Sequence, residues 1–187
     1  MSQTPLKMTL EEYLTYDDGT DKRYQLENGE LVEMPPGTGQ HEAIITFLVI
    51  RFFLEKERLG LTIEPRSNGV EVMTQKQPRR PDVLMITPEQ VQAIKNVSAV
   101  LKTAPPLIVE VVSPESIDRD YNIKTLEYAA IGVNEYWIVD PLLDKITVCL
   151  LQRGVYNQTV FTGNQQVISP CFPQLNLTAQ KILAASL

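Results

Sequence analysis

Apolar and polar positions along the chain switch between two periods, and the switches outline the elements. TLEEYLTY carries Thr9 with Glu12 three residues on, a capping-box pattern that predicts a short helix. YQLENGELVEM alternates on both sides of Asn28-Gly29, which predicts a hairpin. Beyond Pro35-Pro36-Gly37 the period becomes helical from about Gln40 to Leu59. Ile44, Phe47, Leu48, Arg51 and Phe52 stand near one face, and Gly60 is the natural stop.

Two strand candidates follow, LTIEPRSNGVEVMT and RRPDVLMIT, separated by the polar loop QKQP. Pro88-Glu89 opens a short helix, and Pro105-Pro106 leads into a strand, LIVEVV. The segment from about Ile117 to Ile131 reads as one helix closed by Gly132. EYWIVD is a further strand, KITVCLLQRGVYNQTVF a closing hairpin, and LTAQKILA a last short helix capped by Thr178. Runs such as LIVEVV and YWIVD are apolar throughout and require cover on both faces. The expectation is a mixed α/β domain around one central sheet, with no internal boundary in residues 1–187. The strands of Asp82 and Glu110 should be neighbours, with the long first helix and the Asp120 helix packed on them.

Composition narrows the class. The 187 residues, 43% hydrophobic and 21% charged, are those of an ordinary globular domain. No apolar run approaches the roughly 18 residues that span a bilayer, and the N-terminus lacks the apolar core of a secretory signal. Cys149 and Cys171 form no C-x-x-C and suggest neither a zinc site nor a disulfide scaffold. A cytoplasmic protein with no membrane association is the economical expectation. The net charge of −6 argues against general nucleic-acid binding, which needs a basic excess, a local basic patch or a bound cation.

Candidate chemistry begins with Glu110, a carboxylate inside an otherwise apolar strand. Burial forces it to neutralise, to find a cation, or to bind a metal. Asp82 heads a second apolar strand; capping a turn, or pairing with Arg79 or Arg80, is its ordinary explanation. If the two strands are neighbours, the two acids converge, and a cation between them relieves their repulsion. Mg²⁺ suits such a site because it accepts one or two carboxylates and keeps waters for a phosphate. Asp120, Lys124 and Tyr128 share one helical face at i, i+4, i+8. As an exposed pair, Asp120 and Lys124 would be a surface salt bridge, and Tyr128 a core residue.

RPDVLMI, PPLIVEVVSPES, D-x-x-x-K-x-x-x-Y and GVNEYWIVDP, in that order, resemble the Uma-type putative restriction endonuclease family of the PD-(D/E)XK nuclease superfamily. The resemblance covers roughly Tyr24 to Pro141, and its E-V-x-S-P…G-V-x-E-Y-W-x-V-D-P string is specific. It implies a restriction-endonuclease-like αβββαβ core and divalent-metal phosphodiester hydrolysis. Pro81-Asp82 supplies the PD element and Glu110 the acidic one. The superfamily lysine should follow two residues later, where this chain has Val112; Lys124, on the next helix, stands where the family places it. Glu42, on the first helix, is the nearest match to an extra metal-binding Glu, with His41 beside it.

The resemblance therefore implies a Mg²⁺-dependent DNA endonuclease, with Mn²⁺ as an alternative ion. Asp82, Glu110 and the Val111 carbonyl would hold the metal, and Lys124 would orient the attacking water. Arg79, Arg80 and Arg119 are candidates for backbone contacts. Lys124→Ala is expected to keep the fold and the metal but lose cleavage. The rival expectation, favoured by the acidic charge and the missing strand lysine, is a catalytically silent, homodimeric binding module on the same core. Hydrolysis of a small phosphate ester would use the same acids.

Overall fold

Two apolar faces of one sheet organise the chain. The computed structural model describes residues 6–185. Thr9 caps α1 (Leu10–Leu14), with both halves of the capping box present. β1 (Arg23–Glu27) and β2 (Glu30–Met34) form the expected hairpin; Asn28 and Gly29 have φ of 51° and 79°, as a type I′ turn requires. α2 (Gly39–Leu59) is capped by Thr38 and stops at Gly60 in the left-handed conformation.

The two strand candidates that follow are each broken, which corrects the expectation. The first divides at Asn68-Gly69 into β3 (Glu64–Ser67) and β4 (Glu71–Met73); the second divides around Pro81 into β5 (Pro78–Arg79) and β6 (Val83–Ile86). β3 pairs with β6, and β4 with β5, so the two stretches run antiparallel but change sheets halfway. Asn68 has positive φ, and Pro81 has no N–H to give a ladder. Asp82 consequently lies just outside β6 rather than within a strand.

α3 (Pro88–Ile94), β7 (Val100–Leu101) and β8 (Leu107–Val111) come next, then a π-helical turn (Arg119–Ile123) leading into α4 (Lys124–Ile131). β9 (Glu135–Asp140), the hairpin of β10 (Lys145–Gln152) and β11 (Val155–Thr162), and α5 (Ala179–Leu183) complete the chain. A six-stranded mixed sheet, ordered β11-β10-β9-β8-β6-β3, is joined by a three-stranded sheet, β5-β4-β7, and by the β1-β2 pair. The six-stranded sheet is the central sheet of the expectation and β1-β2 its hairpin, while the three-stranded sheet is an addition to it. β6 and β8 are antiparallel neighbours, and β8 and β9 run parallel.

Alternation along the strands assigns the faces. Val83, Met85, Leu107 and Val109 pack under α2 with its Ile44, Leu48 and Phe52. Leu84, Ile86, Ile108 and Val112 pack on the other side with Tyr128 of α4 and Val72 of the small sheet. Among the described residues no helix is long and apolar enough to cross a membrane.

The helix predicted over 117–131 is not uniform. The Lys124 N–H reaches back to the Arg119 carbonyl, a five-residue step. The Asp120 carbonyl, which a regular α-helix would offer to Lys124, accepts the Tyr136 hydroxyl at 2.9 Å and the Thr125 hydroxyl at 3.2 Å. A hydroxyl inserted into the ladder is a recognised cause of such a widened turn.

Candidate active site

Alternation on β8 places Glu110 on the α4 face, between Ile108 and Val112, and it is only 1% exposed. Lys124 brings its ammonium to 2.9 Å from Oε2, and the Tyr128 hydroxyl donates to Oε1 at 2.6 Å. A buried carboxylate is tolerable when a cation and a hydrogen bond replace its lost water, and both are present.

Lys124 is shared. Its Nζ also lies 2.8 Å from Asp120 Oδ1, in ion-pair contact without good hydrogen-bond alignment. Ser116 donates its hydroxyl to the other Asp120 oxygen. Asp120 and Lys124 are both buried, so they are not the exposed surface pair that their spacing alone would allow. The widened turn and the first turn of α4 together present both side chains to the sheet.

Asp82 stands where the β6–β8 register, continued by one residue, opposes it to Glu110. Its Oδ2 accepts the Val111 N–H at 2.7 Å, and His41 Nε2 lies 3.4 Å from the same oxygen. His41, in the first turn of α2, brings Nδ1 to 3.3 Å from Glu42 Oε1. Glu42 itself is half exposed and meets the site through His41.

Glu110 and Asp120 therefore hold one lysine between them, and Asp82, opposed to Glu110 across the strands, has His41 at the margin. Burial pushes Glu110 toward its protonated form; Lys124 opposes this, while Asp82 and Asp120 reinforce it. For Lys124 burial favours loss of the proton, but Glu110, Asp120 and Asp82 outweigh it and hold the ammonium charged. For His41 burial likewise disfavours the charge, yet Asp82 and Glu42 raise its pKa to about 9. The shifts of Lys124 and His41 express a local surplus of negative charge, whereas that of Glu110 comes first from burial.

That surplus, with carboxylate oxygens at the ends of adjacent strands, is the donor chemistry of a divalent cation that takes one or two carboxylates and keeps its waters. It does not fit an all-protein cage, since among the described residues no group of three His, Cys, Asp or Glu could hold a metal.

The arginines expected to meet a nucleic acid are engaged elsewhere. Arg79 forms a buried, bidentate pair with Glu127, at 2.6 and 3.1 Å, and approaches Glu27 at 3.6 Å. Arg80 pairs with Glu71 at 2.7 Å, and Arg119, partly exposed, lies 3.5 Å from Glu27. Glu127, Glu71 and Tyr136 were not singled out by the sequence reading. Glu127 reads as an exposed position on an amphipathic helix, and only the fold turns it toward Arg79.

Residues 10–180 match the family described as Putative restriction endonuclease (Uma2). A crystal structure from Anabaena variabilis, described as a putative nuclease belonging to DUF820, is similar with a TM-score of 0.78 at 19% identity. The likeness covers 98% of this chain and 100% of that one, and shows the same fold of a mixed sheet with helices. No curated protein matches. The family match spans nearly the whole chain and includes every residue of the acid–lysine cluster: this chain belongs to the Uma2 family of putative restriction endonucleases.

Proposed function

We propose that the chain is a Mg²⁺-dependent endonuclease hydrolysing phosphodiester bonds in DNA. Its core would be the restriction-endonuclease-like αβββαβ unit, formed here by α2, β3, β6, β8, α4 and β9. The observation that carries this reading is the cluster of Asp82, Glu110 and Lys124 at one end of adjacent strands, with buried acids outnumbering the lysine.

Asp82, Glu110 and the Val111 carbonyl would hold the ion. Mg²⁺, or Mn²⁺, would supply charge stabilisation at the phosphate oxygens and a lowered pKa for water. Lys124, kept protonated beside Glu110, is suited to steer the attacking water and to offset charge developing on the phosphate. Tyr128 restrains Glu110 and Asp120 restrains Lys124, so neither depends on the substrate for its orientation. His41 braces Asp82, with Glu42 behind it.

A second reading, a catalytically silent nuclease-fold binding module, draws on a specific observation. Both oxygens of Glu110 and one of Asp82 already have partners within the chain. Plasmid DNA incubated with the protein in Mg²⁺, Mn²⁺ or EDTA separates the two. The enzyme predicts metal-dependent nicking that falls on the order of a hundredfold or more in Asp82→Asn and Glu110→Gln. DNA binding that is indifferent to metal, without any nicking, would favour the module.

A further inference from the structure

A cavity of about 310 Å³, with no member of the acid–lysine cluster in its lining, is bounded by α1, β1 and the small sheet. Tyr16 and Tyr24 form an aromatic corner in its lining, their rings edge to face with centroids 5.5 Å apart. The charged residues of the lining are Lys22, Arg23, Arg80 and Glu71, three cations and one acid in a chain of net charge −6. Glu71 is spent on Arg80 and the Tyr13 hydroxyl, which fixes the guanidinium against the wall. Lys22 is shared with Glu33 in the open, while Arg23 is exposed and has no ion-pair partner among the described residues. Gly69, Ser98 and Ala99 line it with small side chains, which leaves the volume open.

A bare anion has no use for the aromatic corner, and an apolar ligand has none for the cations. The combination suits a planar ring carrying a phosphate, and the volume is at the lower end of the range for small-molecule sites. Arg80 precedes Asp82 by two residues, so the cavity and the candidate active site share the β5–β6 connection. We propose that this cavity receives one unstacked nucleobase of the polynucleotide held at Asp82 and Glu110. The base packs on Tyr16 and Tyr24, and its phosphate faces Lys22 and Arg23. Enzymes that take a base out of the stack use the same pairing of aromatic contact and electrostatic guidance. The inference rests on the nuclease reading for its ligand but not for its test.

The test is nucleotide binding by the full chain in EDTA, where no cleavage occurs. The four deoxynucleoside 5′-monophosphates and 2-deoxyribose 5-phosphate are titrated and followed by saturation-transfer and tyrosine-ring NMR, which detect millimolar binding. The nucleotides should bind at least tenfold more tightly than the sugar phosphate. Tyr16→Ala should weaken them about five- to 150-fold, the range of one base–aromatic contact, while Tyr16→Phe retains them. Arg23→Ala, at an exposed position, should weaken nucleotides and sugar phosphate alike. Equal binding of sugar phosphate, or unchanged binding in Tyr16→Ala, overturns the proposal. Nucleotide binding lost in Tyr16→Ala by a protein that cuts no DNA keeps the cavity and removes the nuclease. DNA cleavage without nucleotide binding removes the cavity alone.

Discussion

Lys124 serves two buried carboxylates at once, at 2.9 Å from Glu110 and 2.8 Å from Asp120. Had the pair with Asp120 been exposed, its loss would cost about 0.3–0.5 kcal/mol. Removing one member of a buried set leaves uncompensated charge, and Lys124→Ala should therefore lower stability by about 3–5 kcal/mol in urea unfolding at neutral pH. This revises the expectation that the fold is kept at little cost, so cleavage by the variant must be measured well below its unfolding transition. Glu135 gives a second residue-level prediction. It is 2% exposed and accepts the Trp137 indole N–H at 2.7 Å and the Cys171 N–H at 2.8 Å. Burial raises its pKa above 4.5, with Ser169, Cys171 and Trp137 only partly opposing. A carboxylate whose native pKa is raised contributes stability that is complete below its unfolded value and is lost as pH rises through its native one. The melting temperature of wild type relative to Glu135→Gln should thus be highest below pH 4.5 and decline as pH rises above it. A difference that grows with pH would contradict this account.

At the scale of the element, the π-helical turn aims two members of the site. The Tyr136 hydroxyl on β9 occupies the Asp120 carbonyl and so couples the turn to the sheet. Tyr136→Phe removes that donor and should cost about 0.5–1.5 kcal/mol. It should also let the turn relax toward regular α-helix, lowering cleavage although the hydroxyl bonds the turn's backbone rather than any proposed metal ligand. Unfolding free energies and amide exchange over residues 119–125 would check both halves. The other elements follow from local chemistry. The capping boxes at Thr9 and Thr87, the Asn28-Gly29 turn, and the left-handed stops at Gly60 and Gly132 each act within a few residues. The widened turn depends on a tyrosine sixteen residues further along, and no periodicity contains it.

Across the whole molecule, Arg79 ties the small sheet to α4 through Glu127 and reaches toward the hairpin through Glu27. Arg79→Ala should lower stability by about 3–5 kcal/mol, because Glu127 would be left buried without its partner. It should leave the salt dependence of DNA affinity unchanged. An arginine in contact with a phosphate would instead reduce the log–log slope by about 0.9. Filter binding across a salt series, at a temperature where the variant is folded, distinguishes the two roles.

The sequence by itself determined the order of the longer elements, the caps and turns and the burial of Glu110, and it pointed to the acids and the lysine, because each of these is local chemistry or simple periodicity. It also carried the family, through the ordered strings around Asp82, Glu110 and EYWIVD. Only the tertiary structure decided the breaks at Asn68-Gly69 and Pro81 that divide two apparent strands between two sheets. It also decided which cation answers Glu110, and that Arg79 and Arg80 are spent on internal carboxylates. These outcomes depend on which residues distant in the chain share a desolvated space. A charged group chooses its partner there by the cost of being left alone, and no spacing along the chain records that cost.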